Sequence, residues 1–236
     1  MLQIIFLGPT SKKITKKKFA KFIKKASTAS DEILETNIAK DNLPSLGILS
    51  DAEAFSHNSI NPTANEVIIV TKRPLQGNYF SRSNQSHCPN INPDQNIVVV
   101  TSFEAEKFFE EEGVNANRAF AATAIVSLYS AKFVAAGNEY WSLWTDTPED
   151  PIFGFCADKS EVIMKFESGK IGARAEAVLV NASRSTEEID SLKKDANLFR
   201  PRLSDRIRFF LLIKNRDVFL SVIFFALGIA ASKLFS

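Results

Sequence analysis

The sequence predicts an α/β or α+β domain, a small mixed sheet around a central buried helix, followed by a C-terminal transmembrane helix. Three observations carry that expectation. "EVIIVT" and "NIVVVT" are short β-branched runs with no polar face, the pattern of strands covered on both sides. "ANRAFAATAIVSLYSAKFVAA" is small and apolar nearly all round, which places that helix in the middle of a domain. "DVFLSVIFFALGIAASKLFS" is apolar over a length close to that of a bilayer core.

The elements follow in order. "LQIIFLG", closed by Gly8-Pro9, reads as a first strand. Its apolar residues precede the lysines, the reverse of a secretory signal. Thr15 is placed to cap a helix through about Ala26, with Phe19, Phe22, Ile23 and Ala26 at helical spacing. Residues 40–65 are rich in Asn, Pro and Ser and read mostly as loop. "EVIIVT" follows, then the turn-rich "PLQGNYFSRSNQSHCPNINPDQ", expected to be a long functional or mobile loop. After "NIVVVT", Ser102 is placed to cap a short helix to about Glu112, with Glu104 and Glu106 near its positive end and Gly113 stopping it. Asn115 or Asn117 caps the long helix, and Gly137 ends it. "YWSLWTDTPEDP" reads as an irregular aromatic loop, "IFGF" as a brief strand, and 157–166 as a helix. Gly169 breaks the chain before a helix from about Arg174. The expected organisation is a domain over 1–180, a basic stalk over 181–216 and a membrane anchor over 217–236.

Whole-chain composition excludes little: 45% of the 236 residues are hydrophobic, 24% are charged, and the net charge is +2. The distribution says more. Lys12, Lys13, Lys16, Lys17, Lys18, Lys21, Lys24 and Lys25 precede the first acid, Asp31. That basic face suits anionic lipid or an acidic partner. Nucleic acid is disfavoured, because no aromatic platform or arginine fork accompanies it. Two cysteines, Cys88 and Cys156, make no disulfide framework and point to a reducing compartment.

The tail's span is built by Val218, Phe219, Leu220, Val222, Ile223, Phe224, Phe225, Leu227 and Ile229. Residues 218–235 as a helix cover about 27 Å against a core of about 30 Å. Their insertion is favoured by about −3 to −6 kcal/mol, with Lys233 near enough to the end to snorkel. Arg200, Arg202, Arg206, Arg208, Lys214 and Arg216 lie before the span and only Lys233 lies beyond. The positive-inside rule therefore predicts a single-pass, tail-anchored arrangement with the domain cytoplasmic.

Candidate chemistry is sparse. "GPTSKK" lacks the second glycine of a phosphate loop, and Pro9 removes a donor. His57, His87, Cys88 and Cys156 lack the paired spacing of a closed zinc site. A hydrolase using Cys156 with a histidine, or an improvised His87/Cys88/Asp94 cluster, is the enzyme alternative. A lysine-rich binder of nucleic acid or anionic lipid is a third. No cofactor is expected.

Three stretches together carry a resemblance: "RPLQGNYFSRSN", then "NIVVVTSFEAEKFF" with the apolar helix, then "IFGFCADKSEVIMKFESGKIGARAE". Their order over about residues 65–180 resembles a family of uncharacterised bacterial domains. The matching residues are Gly77, Asn78, Tyr79, Phe80, Ser81 and Arg82, and Phe155, Cys156, Lys159 and Ile163. That layout is similar in turn to archaemetzincin-type zinc peptidases (zincins), whose long helix carries an H-E-x-x-H metal motif and is followed by paired cysteines. Here residues 116–136 contain no histidine, and Gly172-Ala173-Arg174-Ala175 stands where the cysteine pair would. Phe153-Gly154-Phe155 stands where relatives have F-D-F. The resemblance therefore implies a pseudoenzyme, a degenerate zincin-like scaffold in a binding or sensing role. Gly77–Arg82 is its expected contact loop and a protein its expected partner, beside the lipid met by the tail.

Overall fold

The computed structural model describes residues 1–8, 14–26, 32–38, 47–105, 108–109, 114–144, 152–153, 169–200 and 203. Strands β1 (Leu2–Leu7), β2 (Ile33–Ile38), β3 (Glu66–Thr71), β4 (Ser81–Ser83) and β5 (Asn96–Thr101) form one sheet in the order β2-β1-β3-β5-β4. All neighbours are parallel except β4, which runs antiparallel to β5 with Arg82 opposite Val99. The described body is thus α/β, with a mostly parallel sheet.

The period of two in a strand explains the two layers that cover the sheet. Leu2, Ile4 and Phe6 of β1 point to one face with Ile68, Val70, Val98 and Val100; Ile5 and Leu7 point to the other with Val67, Ile69, Ile97 and Val99. The first face is covered by helices α1 (Lys16–Ile23) and α4 (Ala116–Ala135). The second is covered by α2 (Asp51–Phe55), through Ala54 and Phe55, and by Leu49, Ala64 and Leu75.

Helix α4 is the centre of the larger core, as its composition predicts. Phe120, Ile125, Leu128 and Phe133 are each within 1% of full burial. At about 1.5–3 kcal/mol each, they contribute roughly 6–12 kcal/mol as an upper bound. Asn115 caps the helix by accepting from the Arg118 N–H at 3.3 Å. Asn117 serves another element, accepting the Thr15 N–H at 2.8 Å at the start of α1. The Thr15 hydroxyl makes no capping bond, so the start of α1 is anchored by α4 and not by its own N-cap side chain.

Several expectations are corrected. Strand β2 has no counterpart in the sequence reading; "ILETNI" carries Glu35, Thr36 and Asn37, which mask an edge strand. The stretch 40–65 contains α2, closed by a capping box in which Glu53 N–H donates to Ser50 Oγ at 3.3 Å and Ser50 N–H to Glu53 at 2.9 Å. The expected long loop after β3 is structured: a 3₁₀ turn at Gln76–Asn78, then β4, then α3 (Asn84–His87). Glu104 has φ +60°, so no regular helix starts at Ser102; 105, 108 and 109 are helical, and Glu106 lies outside the described residues. Tyr140–Leu143 form a helical turn, α5, in the expected aromatic loop. Ile152 and Phe153 make a turn rather than a strand, and 154–168 lie outside the described residues.

The expected stalk is also corrected. After α6 (Ala173–Asn181), helix α7 (Thr186–Phe199) starts with a Ser185–Glu188 capping box. It buries Ile189, Leu192 and Ala196 in the larger core. Those positions are i, i+3 and i+7, one face of a helix. The folded body therefore runs to Phe199. The tail, 217–236, lies outside the described residues; among those that are described, no helix is long and apolar enough to cross a membrane.

Candidate functional site

The Gly77–Arg82 segment is held at the sheet edge. Gln76 N–H donates to the Leu49 carbonyl at 3.1 Å, and Thr101 N–H to the Phe80 carbonyl at 2.9 Å. Gly77 turns the chain with φ +73°, a conformation that costs most side chains strain. A Cβ there would lie 2.6 Å from the Tyr79 ring. Only glycine lets Tyr79 fold back beside the turn.

Alternation along β4 sends its residues to opposite sides. Arg82 spans the edge to α2: Nη2 meets Asp51 Oδ2 at 2.5 Å, Nη1 donates to the Gln76 carbonyl at 3.1 Å, and the guanidinium lies 4.8 Å over the Tyr79 ring. Both members of the ion pair are about nine-tenths buried, at 11% and 9% exposure. Ser81 faces α4, where Ser127 Oγ donates to its hydroxyl at 2.8 Å. Next to them Trp144 Nε1 donates to Ser130 Oγ at 3.0 Å.

Rings close the cup. Tyr140 stacks on Trp144 at 5.6 Å and 19°, and Trp141 stands edge-on to Tyr140 at 5.0 Å. His87 lies 6.3 Å from both Tyr79 and Tyr140. Its Nδ1 is 3.0 Å from the Ser83 carbonyl, which makes Nδ1 the N–H donor of the ring. Burial, together with the Arg82 charge, holds the His87 pKa below its ordinary value. Burial also pushes the Tyr140 hydroxyl up, so it stays protonated. The space enclosed between Ser81, Ser127, Ser130, His87 and Tyr140 is about 10 Å³, one water's worth. Organic ligands in closed sites need about 300–1,000 Å³. The cup therefore offers its rim, not its interior. On that rim Trp141 is 63% exposed and Tyr79 38% exposed.

The other predicted groups are dispersed. Cys88 packs on the opposite face of the sheet from the α4 side on which His87 meets Tyr140, and burial pushes its thiol pKa up. Asp94 lines a separate groove of about 380 Å³ with His57, whose Nδ1 accepts from the Ser59 N–H at 3.2 Å. Cys156 lies outside the described residues, as do Lys12 and Lys13. Among the described residues, no three His, Cys, Asp or Glu side chains stand together where they could hold one ion. As a structural turn, the loop is expected to place Arg82 in an ion pair, and it does; the partner Asp51, 31 residues earlier, is not legible, because nothing local marks a long-range pair. Ser127, Ser130, Tyr140 and Trp144 are not legible as a site either, since in sequence they read as core and loop.

No protein-family model, curated protein or solved structure matches this chain.

Proposed function

We propose that this protein is a membrane-tethered binding domain. Its body lies on the cytoplasmic side, and residues 217–236 hold it to the bilayer. The body is a zincin-like scaffold that has lost its metal site, and it recognises a protein partner with the aromatic rim around Tyr79 and Trp141. The order of an edge loop bearing Gly77–Arg82, a strand and a long buried helix supports the kinship. The donor set argues against a working metalloenzyme. Where α4 meets the edge strand it presents Ser127 and Ser130, and neutral hydroxyls are not the imidazole, thiolate or carboxylate ligands that zinc selects. A zinc ion does not fit these residues.

The observation that carries the binding role is a pair of exposed rings at a cup too small for a substrate: Trp141 against Tyr140 and Tyr79 against His87, where Tyr140 and His87 line the cup. Tryptophan, tyrosine and arginine are the side chains that dominate interface energetics. The test places a photo-crosslinking phenylalanine at Trp141, and separately at exposed Lys194 on α7, in the full chain in its native membrane. One discrete adduct from position 141, absent from 194 and lost on Tyr79→Ala, is the expected result. Equal, diffuse labelling from both positions would refute the rim as a recognition surface. Flotation with neutral phosphatidylcholine vesicles tests the tether, which predicts that the full chain floats and a chain ending at Arg216 does not.

A further inference from the structure

We infer that the lysine face of α1 is a second membrane contact, which lays the body down on anionic lipid; this rests on the tether proposed above. Lys17, Lys18, Lys21, Lys24 and Lys25 fall within an arc of roughly 120° at about 100° per residue. The opposite arc buries Phe19, Ala20 and Ile23 in the core. All five lysines are exposed, and among the described residues the acid within ion-pair range of them is Glu35, 3.9 Å from Lys24. Lys16 stands apart from this arc, over the Phe6 ring at 5.5 Å.

Placement then points to the occupant. Arg118, buried at the start of α4, lies over the Phe22 ring of α1 at 5.5 Å and donates to the Arg200 carbonyl at 3.2 Å. One side chain thus joins α1 to Arg200, the residue from which the sequence runs on toward the proposed span. From Arg200 to Val218 is 18 residues, at most about 60 Å of extended chain. The face is therefore held at high local concentration over any bilayer the span enters. That intervening stretch carries Arg202, Arg206, Arg208, Lys214 and Arg216 against Asp205 and Asp217, a net positive charge of the sign that anionic headgroups attract. Nucleic acid fits less well. The aromatic ring nearest this face, Phe22, is covered by Arg118 and offers no base a stacking surface.

Each basic residue near an anionic surface is worth about fivefold in affinity, and salt screens it over about 8 Å. The experiment reconstitutes the full chain in two kinds of vesicle, pure phosphatidylcholine and a mixture with roughly a third phosphatidylserine. Lysine reactivity toward an amine-modifying reagent is then read residue by residue. Expected is a loss of reactivity of about fivefold or more at Lys17, Lys18, Lys21, Lys24 and Lys25 on the anionic vesicles, reversed by high salt. The triple variant Lys17→Glu, Lys21→Glu, Lys24→Glu should still float with neutral vesicles and show no protection of Lys18 and Lys25. Equal reactivity on both compositions would overturn the inference. So would protection that appears only when an RNA oligonucleotide is added to neutral vesicles. Failure of the unaltered chain to float with neutral vesicles would overturn the tether instead; protection of the five lysines on anionic vesicles is read separately.

Discussion

Asn84 holds the edge of the sheet in place, and its removal can be costed. The side chain is fully buried at the first position of α3. Its Nδ2 donates to three carbonyls, Ile91 at 3.0 Å, Asn92 at 3.0 Å and Gln95 at 2.9 Å, and its Oδ1 accepts the Ile97 N–H at 2.9 Å. Replacing it with alanine strands these groups unequally. The Gln95 carbonyl keeps a second donor, Gln85 Nε2 at 2.9 Å. The Ile91 and Asn92 carbonyls are partly reached by water, and each loses about 1 kcal/mol. The Ile97 N–H is buried at the start of β5 and costs about 1–3 kcal/mol when unpaired. Asn84→Ala should therefore destabilise the body by about 4 kcal/mol, a large part of an ordinary domain's 5–15 kcal/mol. Asn84→Asp should be worse: it keeps the acceptor for Ile97 but buries a charge among three carbonyls. Urea unfolding gives the totals, and hydrogen exchange at the Ile97 amide reports the local loss. A cost below about 1 kcal/mol with the Ile97 amide still protected would refute the reasoning.

Asp51→Ala should cost about 3–5 kcal/mol by leaving Arg82 buried without its carboxylate, whereas the double change with Arg82→Leu should recover most of that, as a thermodynamic cycle would show. Gly77→Ala should cost about 1–3 kcal/mol, from the positive φ and the clash with the Tyr79 ring, and should increase quenching of tyrosine fluorescence by solvent. His87 gives a pH dependence with a defined sign. Its folded pKa lies below its unfolded one, so above about pH 7.5 both states are neutral and it has no effect on stability. As pH falls through about 6.5 the unfolded state binds its proton first and stability drops, levelling only below the folded pKa. Urea midpoints at neutral and mildly acidic pH should fall further for the unaltered protein than for His87→Gln.

Local pattern carried the reading wherever one stretch of chain decides its own fate. β3 and β5 follow from unbroken β-branched runs, α4 from its apolar surface, and its ends from Asn115 and Gly137. What escaped is set by distant partners. The three residues of β4 are polar, and they are a strand because Val98, Val99 and Val100 lie opposite. β2 is hidden by Glu35, Thr36 and Asn37, which the outermost strand of a sheet tolerates. In α7 the density of charge concealed a buried face of Ile189, Leu192 and Ala196. The cup is the extreme case. Ser81, Ser127 and Trp144 meet only once β4, α4 and α5 are assembled, and separately none of them signals a site.

The order of the strands leaves β2 and β4 as the two outermost strands, and the two margins are unequal hazards. β4 is three residues long and offers a neighbour little backbone to zip onto. β2 is six residues long, and among the described residues nothing pairs with its outer side, a row of amides and carbonyls that a second copy could meet. Molecules crowded on a surface would meet margin to margin far more often than in dilute solution. What stands in the way along β2 is the charged Glu35–Lys24 pair, which a second copy would have to desolvate before the two edges could knit into a shared sheet.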